Sequence, residues 1–216
     1  MNPFIRADQY QFIKFQTQIL INSHATVNDK NVLNAVKSLA RDKVSELFSD
    51  LEEDQKHLLD PLIDIEDNSK AEEFLEDLKP YVIPFKNVTE QTLKKLFPKA
   101  KKLKLPSIVG VDFKEISYLG WDDVGTNRKF LIVPYQNKLI GLSGSFTPIA
   151  KKGVCMLCNR HSEVGLFMSE KKGKIQGTFV RRGNYICQDS MKCNENLISL
   201  SKLEDFILLL HGKKNE

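Results

Sequence analysis

The chain has four cysteines, and they fall into two pairs in its last third. Cys155 and Cys158 form a Cys-x-x-Cys turn in Gly153-Val154-Cys155-Met156-Leu157-Cys158, and Cys187 and Cys193 form a second, wider pair. Four thiolates from two separated pairs are the donor set of a closed tetrahedral zinc site, and the short bend of Cys-x-x-Cys turns both sulfurs toward one point. Such a site is structural, because four sulfurs leave no position for water or substrate. Disulfides are the competing chemistry, since four cysteines admit three pairings. The first residues weigh against them. Met1 to Leu20 carries Arg6, Asp8 and Lys14 among its apolar residues, with no signal-peptide core and no small-residue cleavage site. A cytoplasmic, thiol-reducing setting is expected, and there clustered cysteines bind metal. The expectation is one structural Zn2+ held by Cys155, Cys158, Cys187 and Cys193. His161 is the alternative donor nearby, and a lone histidine there is read as solvated.

The segments around the cysteines must aim them. Val164–Met168 and Gly177–Arg182 read as strands about a glycine-containing turn at Lys171–Lys174. Gly183-Asn184 is a further tight-turn signal, feeding Tyr185-Ile186-Cys187. After Cys193, Leu197, Leu200, Leu203, Phe206 and Leu210 mark one last helix, ending near His211-Gly212. A knuckle, a hairpin and a helix sharing one metal is treble-clef organisation. Five residues separate Cys187 from Cys193, more than the usual form allows, so the final turn is expected to bulge.

Upstream of the cysteines, strands dominate from about residue 111. Val111–Leu119 partly alternates, Gly120–Asn127 turns and holds the single tryptophan, Trp121, and Lys129–Tyr135 is a buried-strand pattern. Lys138–Leu142 follows a Gln136-Asn137 turn and completes a hairpin. Before these, Thr89 caps a short helix carrying Leu93, Leu96 and Phe97. Lys99–Pro106 alternates lysines with Leu103 and Leu105, as an edge strand with outward cations does.

The first half reads as helices. Tyr10, Ile13, Thr17 and Leu20 form one apolar stripe, and Leu33, Val36, Ala40, Val44 and Leu47 form another, after N-cap chemistry in Thr26-Val27-Asn28-Asp29. Asp50–Asp60 is acidic but keeps Leu51, Leu58 and Leu59 for burial. Ser69-Lys70-Ala71-Glu72 fits a capping box before a helix with Phe74, Leu75 and Leu78, which Pro80 ends. Four helices with short connections make an antiparallel bundle. The fold class expected is therefore α+β: an N-terminal antiparallel helical bundle, then a C-terminal α/β domain with a four-Cys, treble-clef-like zinc finger.

Charge divides the chain at the same place. Residues 1–84 hold nine basic and sixteen acidic side chains, a balance of −7, and residues 85–216 hold twenty-three and twelve, a balance of +11, within a whole chain of +4. The expected domains are an acidic helical bundle over 1–84 and a basic zinc-binding domain over 85–216, with a zinc subdomain at about 150–216. The basic half suits an acidic partner. No apolar run approaches a membrane span, so no membrane partner is expected. There is no glycine-rich phosphate loop, no Ser-His-Asp set and no convergent carboxylates, and the four histidines are scattered. A non-enzymatic protein with no small-molecule substrate is the expectation.

Several stretches resemble the EF-G-binding fusidic acid resistance proteins of the FusB/FusC type. They are Thr26-Val27-Asn28-Asp29-Lys30, Tyr81-Val82-Ile83-Pro84-Phe85, Gly120-Trp121 with Asn127-Arg128-Lys129, and Lys152-Gly153-Val154-Cys155 through Cys158. Leu166-Phe167-Met168 and Gly183-Asn184-Tyr185-Ile186-Cys187 to Cys193-Asn194 belong to the same pattern. The resemblance implies a protein that binds the translocase EF-G, including its ribosome-bound form, and releases it from ribosomes stalled by the drug. It implies that the four cysteines ligate zinc and that Val154, Arg182, Tyr185 and Phe206 face the partner. Two of these depart from the family pattern: Val154 is small where an aromatic is usual, and Arg182 replaces a lysine while keeping its charge. The second reading, from the basic half, is a zinc-dependent RNA- or ribosome-binding module with a weak contact to ribosomal RNA.

Overall fold

The computed structural model describes residues 1–100, 103, 106–173 and 175–211. The chain divides into two compact units, Met1–Pro84 and Phe85–Glu216. The fold is α+β, with helices in the first unit and an antiparallel sheet in the second.

The first unit is built on α1 (Ala7–Thr26). Its apolar stripe of Tyr10, Ile13 and Leu20 is buried, as the periodicity requires. The polar residues Asp8, Gln9, Gln11 and Gln16 are buried as well, so α1 is enclosed on more than one side. Burying them requires partners. Asp8 accepts from Arg6 at 2.9 Å, Gln9 Nε2 donates to the Leu47 carbonyl at 2.6 Å, and the Tyr10 hydroxyl donates to the Leu75 carbonyl at 3.1 Å. Helix α2 (Lys30–Ser45) is capped by Asp29, whose Oδ1 accepts from Asn31 N at 2.7 Å. Helices α3 (Glu53–Leu59) and α4 (Asn68–Leu78) follow, joined by a 3-10 turn over Asp60–Asp64. The cap of α4 is Asp67, which accepts from Lys70 N at 2.9 Å, two residues earlier than the Ser69 box. Tyr81–Ile83 then closes the unit: Phe4 N donates to Tyr81 O at 2.9 Å and Ile83 N to Ile5 O at 2.8 Å.

The second unit starts with the short α5 (Glu90–Leu96), capped by Thr89. Five strands follow: β1 (Leu119–Asp123), β2 (Arg128–Tyr135), β3 (Lys138–Val154), β4 (His161–Lys172) and β5 (Phe179–Cys187). They form one antiparallel sheet in chain order. The Gln136-Asn137 turn is confirmed in form: both residues have positive φ, 48° and 62°, the hand that matches the twist of a two-residue hairpin. Val111–Tyr118 is not a strand; it runs as bends and turns, and pairing begins only at Leu119. Trp121 lies within β1, and the turn falls at Val124–Asn127 instead, where Asn127 takes φ 51°. Lys101, Lys102, Lys104 and Leu105 of the expected lysine-rich edge strand lie outside the described residues, as do Lys174 and Gly212.

Alternation along β2 buries both of its faces. Phe130 and Ile132 join a core with Phe97, whose ring meets Trp121 and Phe130 edge-on at 6.0 and 5.2 Å. Leu131 and Val133 join a second core on the opposite face, with Phe146, Phe167 and Phe206. Phe206 belongs to α7 (Ser201–His211), which follows α6 (Ser190–Glu195). The expected last helix begins later, at Ser201, so Leu197 and Leu200 precede it, and a separate short helix, α6, lies before them with Cys193 inside it. Gly183 is not a turn. It lies mid-strand in β5 opposite Met168, and a Cβ there would collide with the Phe167 carbonyl oxygen. Glycine is required by the close approach of two backbones.

Candidate metal centre

Three elements deliver the four sulfurs. Cys155 and Cys158 lie in the turn between β3 and β4, Cys187 is the last residue of β5, and Cys193 lies in α6. The turn closes by Asn159 N donating to Cys155 O at 2.9 Å and Cys155 N to Arg160 O at 3.0 Å. Asn159 takes φ 54°, a left-handed conformation that asparagine tolerates better than most residues. Leu157 N and Cys187 N both point at Cys155 Sγ, each at 3.3 Å, an arrangement that favours a thiolate there.

The long gap between Cys187 and Cys193 is held by side chains far away in sequence. Gln188 N donates to Glu163 O at 2.9 Å, and its amide donates to the Ile149 and Val164 carbonyls at 3.1 and 3.0 Å. Its own carbonyl accepts from Lys129 Nζ at 2.7 Å. Lys129 is 1% exposed, yet fully engaged: its ammonium also binds both oxygens of Asp122 at 3.1 and 3.0 Å and sits 4.5 Å from the Phe146 ring centre. Asp189 then caps α6, accepting from Met191 N at 2.8 Å. Asn194, fully buried, accepts from Ser117 N and Tyr118 N and donates to Tyr118 O and Ser190 O. The bulge expected from the spacing is therefore a pinned loop.

The sulfurs converge. All four lie within 4.8 Å of one another, with Cys155–Cys193 at 3.8 Å and Cys158–Cys187 at 3.7 Å. None is joined in a disulfide. A tetrahedron of zinc–sulfur bonds near 2.3 Å places its sulfurs about 3.8 Å apart, so the donor set fits one structural Zn2+. Crowding makes the thiols unequal without metal. Hydrogen bonds from Cys158, Cys187 and Cys193 hold Cys155 far below the usual thiol range, while the same contacts, led by Cys155, hold Cys193 far above it. Four such groups cannot all ionise unless a cation compensates them, and a divalent ion supplies that charge. His161 is exposed at the start of β4 and is not part of the cluster.

The expected partner-facing residues separate. Val154 is 59% exposed beside the knuckle and Tyr185 is 42% exposed on β5. Phe206 is corrected: it is completely buried, its ring 5.6 Å from Phe167, so it supports the sheet rather than meeting a partner. Position 206 falls on the same stripe as Leu203 and Leu210, and that periodicity already marked it as core. Arg182 is half-buried. Arg182 pairs with Ser169, on the face of Phe167 and α7, whereas Tyr185 pairs with Leu166, on the other face. Reading the sequence missed Lys129, Gln188 and Asn194. Lys129 had a signal: it shares parity with the buried Leu131 and Val133, and Asp122 lies directly opposite it.

A helical unit followed by a sheet with a four-sulfur centre defines a two-part protein ending in a treble-clef zinc finger. The model of the N-terminal region of elongation factor G-binding proteins matches residues 4–86, and that of the FBP C-terminal treble-clef zinc finger matches residues 95–205. The chain belongs to the elongation factor G-binding protein family. Among solved structures it is similar to the fusidic acid resistance protein FusC, with 34% identity, a TM-score of 0.84, and coverage of 96% of this chain and 97% of that one. A search of curated proteins gives no match. No helix among the described residues is long and apolar enough to cross a membrane.

Proposed function

We propose that this protein binds EF-G and promotes its release from ribosomes stalled by fusidic acid, giving resistance by protecting the drug's target. The observation that carries the reading is the end-to-end likeness to FusC in both sequence and fold. The chemistry of the second unit is compatible with it. The zinc-held end is rigid and carries exposed Val154, Tyr185 and Met191 within a half of the chain whose balance is +11. An aromatic side chain such as Tyr185 on a fixed frame offers large contact area at little conformational cost, and Met191 adds an adaptable apolar contact. No covalent step is needed: a ligand that binds one state of EF-G better than another shifts the population by that difference in affinity.

The partner face is assigned to Val154, Arg182 and Tyr185, with Cys155, Cys158, Cys187 and Cys193 as zinc ligands. Replacing Tyr185 and Arg182 together by alanine is expected to weaken EF-G binding by about 2 kcal/mol, roughly 30-fold, with zinc content unchanged. Calorimetric titration with purified EF-G measures this, and wild-type affinity in the double variant would move the face elsewhere.

A further inference from the structure

Strand β5 is the end of the sheet, and its outer edge is partly used already. Gln188 N donates to Glu163 O, so even-numbered residues here turn their backbone groups toward β4. Odd-numbered residues turn theirs outward. Tyr185 O accepts from Met156 N at 2.8 Å, and Cys187 N points at Cys155 Sγ. The zinc knuckle therefore occupies the last part of this edge. Upstream of it, the outward N–H and C=O groups of Arg181 and Gly183 have no partner among the described residues.

The open stretch carries charge at Arg181 and Arg182, one of the usual guards of an edge, but no proline and no bulge. Here β5 pairs with β4 without a break from Phe179 to Cys187, and Phe179 and Val180 are 59% and 43% exposed. Cations surround them. Arg181 binds Glu170 at 2.7 Å, but Lys171, Lys172 and Arg182 have no carboxylate partner among the described residues. Lys171 instead rests on His211 Nδ1 at 3.1 Å. Burial, and after it the nearby Arg182, lowers the Lys171 pKa from its usual value, consistent with cations gathered without their counter-charge.

We infer that the free edge of β5 over Phe179–Gly183 accepts an extended segment of EF-G, bearing carboxylates and apolar side chains, as an added sixth strand that abuts the zinc knuckle. The inference rests on the reading that the chain binds EF-G. It accounts for Arg182 and Tyr185 serving one partner from opposite faces of the sheet. A strand laid along the edge presents alternate side chains to both faces, while its backbone bonds to Arg181 and Gly183.

Amide hydrogen exchange of the full-length, zinc-loaded protein, resolved by residue, tests this with and without saturating EF-G. In the free protein Arg181 N–H and Gly183 N–H should exchange fast, and in the complex they should slow by about 100-fold or more, as ladder amides do. Arg182 N–H and Asn184 N–H, already paired with β4, should be slow in both. Arg181→Pro, which removes one outward donor, should weaken binding at least about 10-fold beyond Arg181→Ala, which keeps it. A complex in which Arg181 and Gly183 exchange as in the free protein overturns strand addition and leaves EF-G binding standing. No complex at any EF-G concentration overturns the proposed function and this inference with it.

Discussion

Cys155→Ser is expected to abolish stoichiometric zinc binding and to loosen the second unit far beyond the mutated turn. A closed site loses its fit when one of four thiolates goes, and for structural sites metal affinity is folding energy, of order 10 kcal/mol or more. Cys155 also does more than ligate, since its sulfur receives Leu157 N and Cys187 N and so joins the knuckle to the end of β5. The damage should not stop at residue 150. The four cysteines share one core with Leu131, Val133, Leu142 and Phe146, and β3 reaches from Lys138 to Val154, with a register shift against β4 between Pro148 and Lys152. Elemental analysis should therefore show a small fraction of one zinc per chain, and two-dimensional NMR should show collapsed dispersion for β4, β5 and α7, with the signals of residues 1–84 retained. A variant with full zinc and unaltered spectra would contradict the assignment.

Phe206→Ala is expected to destabilise the second unit by about 3–5 kcal/mol through loss of buried area and the cavity left behind. That is a large part of a domain's usual margin of ~5–15 kcal/mol. The side chain has no exposure, and its neighbours Phe167, Leu203 and Leu210 are themselves buried, so little can collapse into the space. EF-G binding should fall only in proportion to the unfolded fraction and should return at low temperature or in a stabilising osmolyte. Chemical denaturation followed by fluorescence and near-ultraviolet dichroism reads the stability. Unchanged stability with binding lost would make Phe206 a contact residue after all.

What could be read from the sequence is what short range dictates. The Cys-x-x-Cys turn, the apolar stripe of Tyr10–Leu20, the middle of the Leu33–Leu47 stripe at Val36, Ala40 and Val44, the cap within Thr26–Asp29 and the Thr89 cap each depend on residues within a few turns of one another, and each appears in the structure. What could not be read is what strand register decides. Gly183 carries a turn signal, but its place opposite Met168 makes it a residue of close approach. Arg182 and Tyr185 lie near each other in the chain, yet the pleat sends them to opposite faces. Lys129 looks like the polar start of an apolar run, and only the arrival of Asp122 and the Gln188 carbonyl makes its burial tolerable. Phe206 shows the opposite case, where local periodicity pointed to the core and the resemblance to an exposed face.

The most direct test of a zinc-held surface that binds EF-G is calorimetric titration of purified EF-G into the zinc-loaded protein and into the same protein stripped of metal by a chelator. The expected result is a saturable isotherm for the zinc-loaded form, lost on stripping and restored when one equivalent of zinc is returned. Absence of saturable binding, or equal affinity with and without zinc, would contradict it.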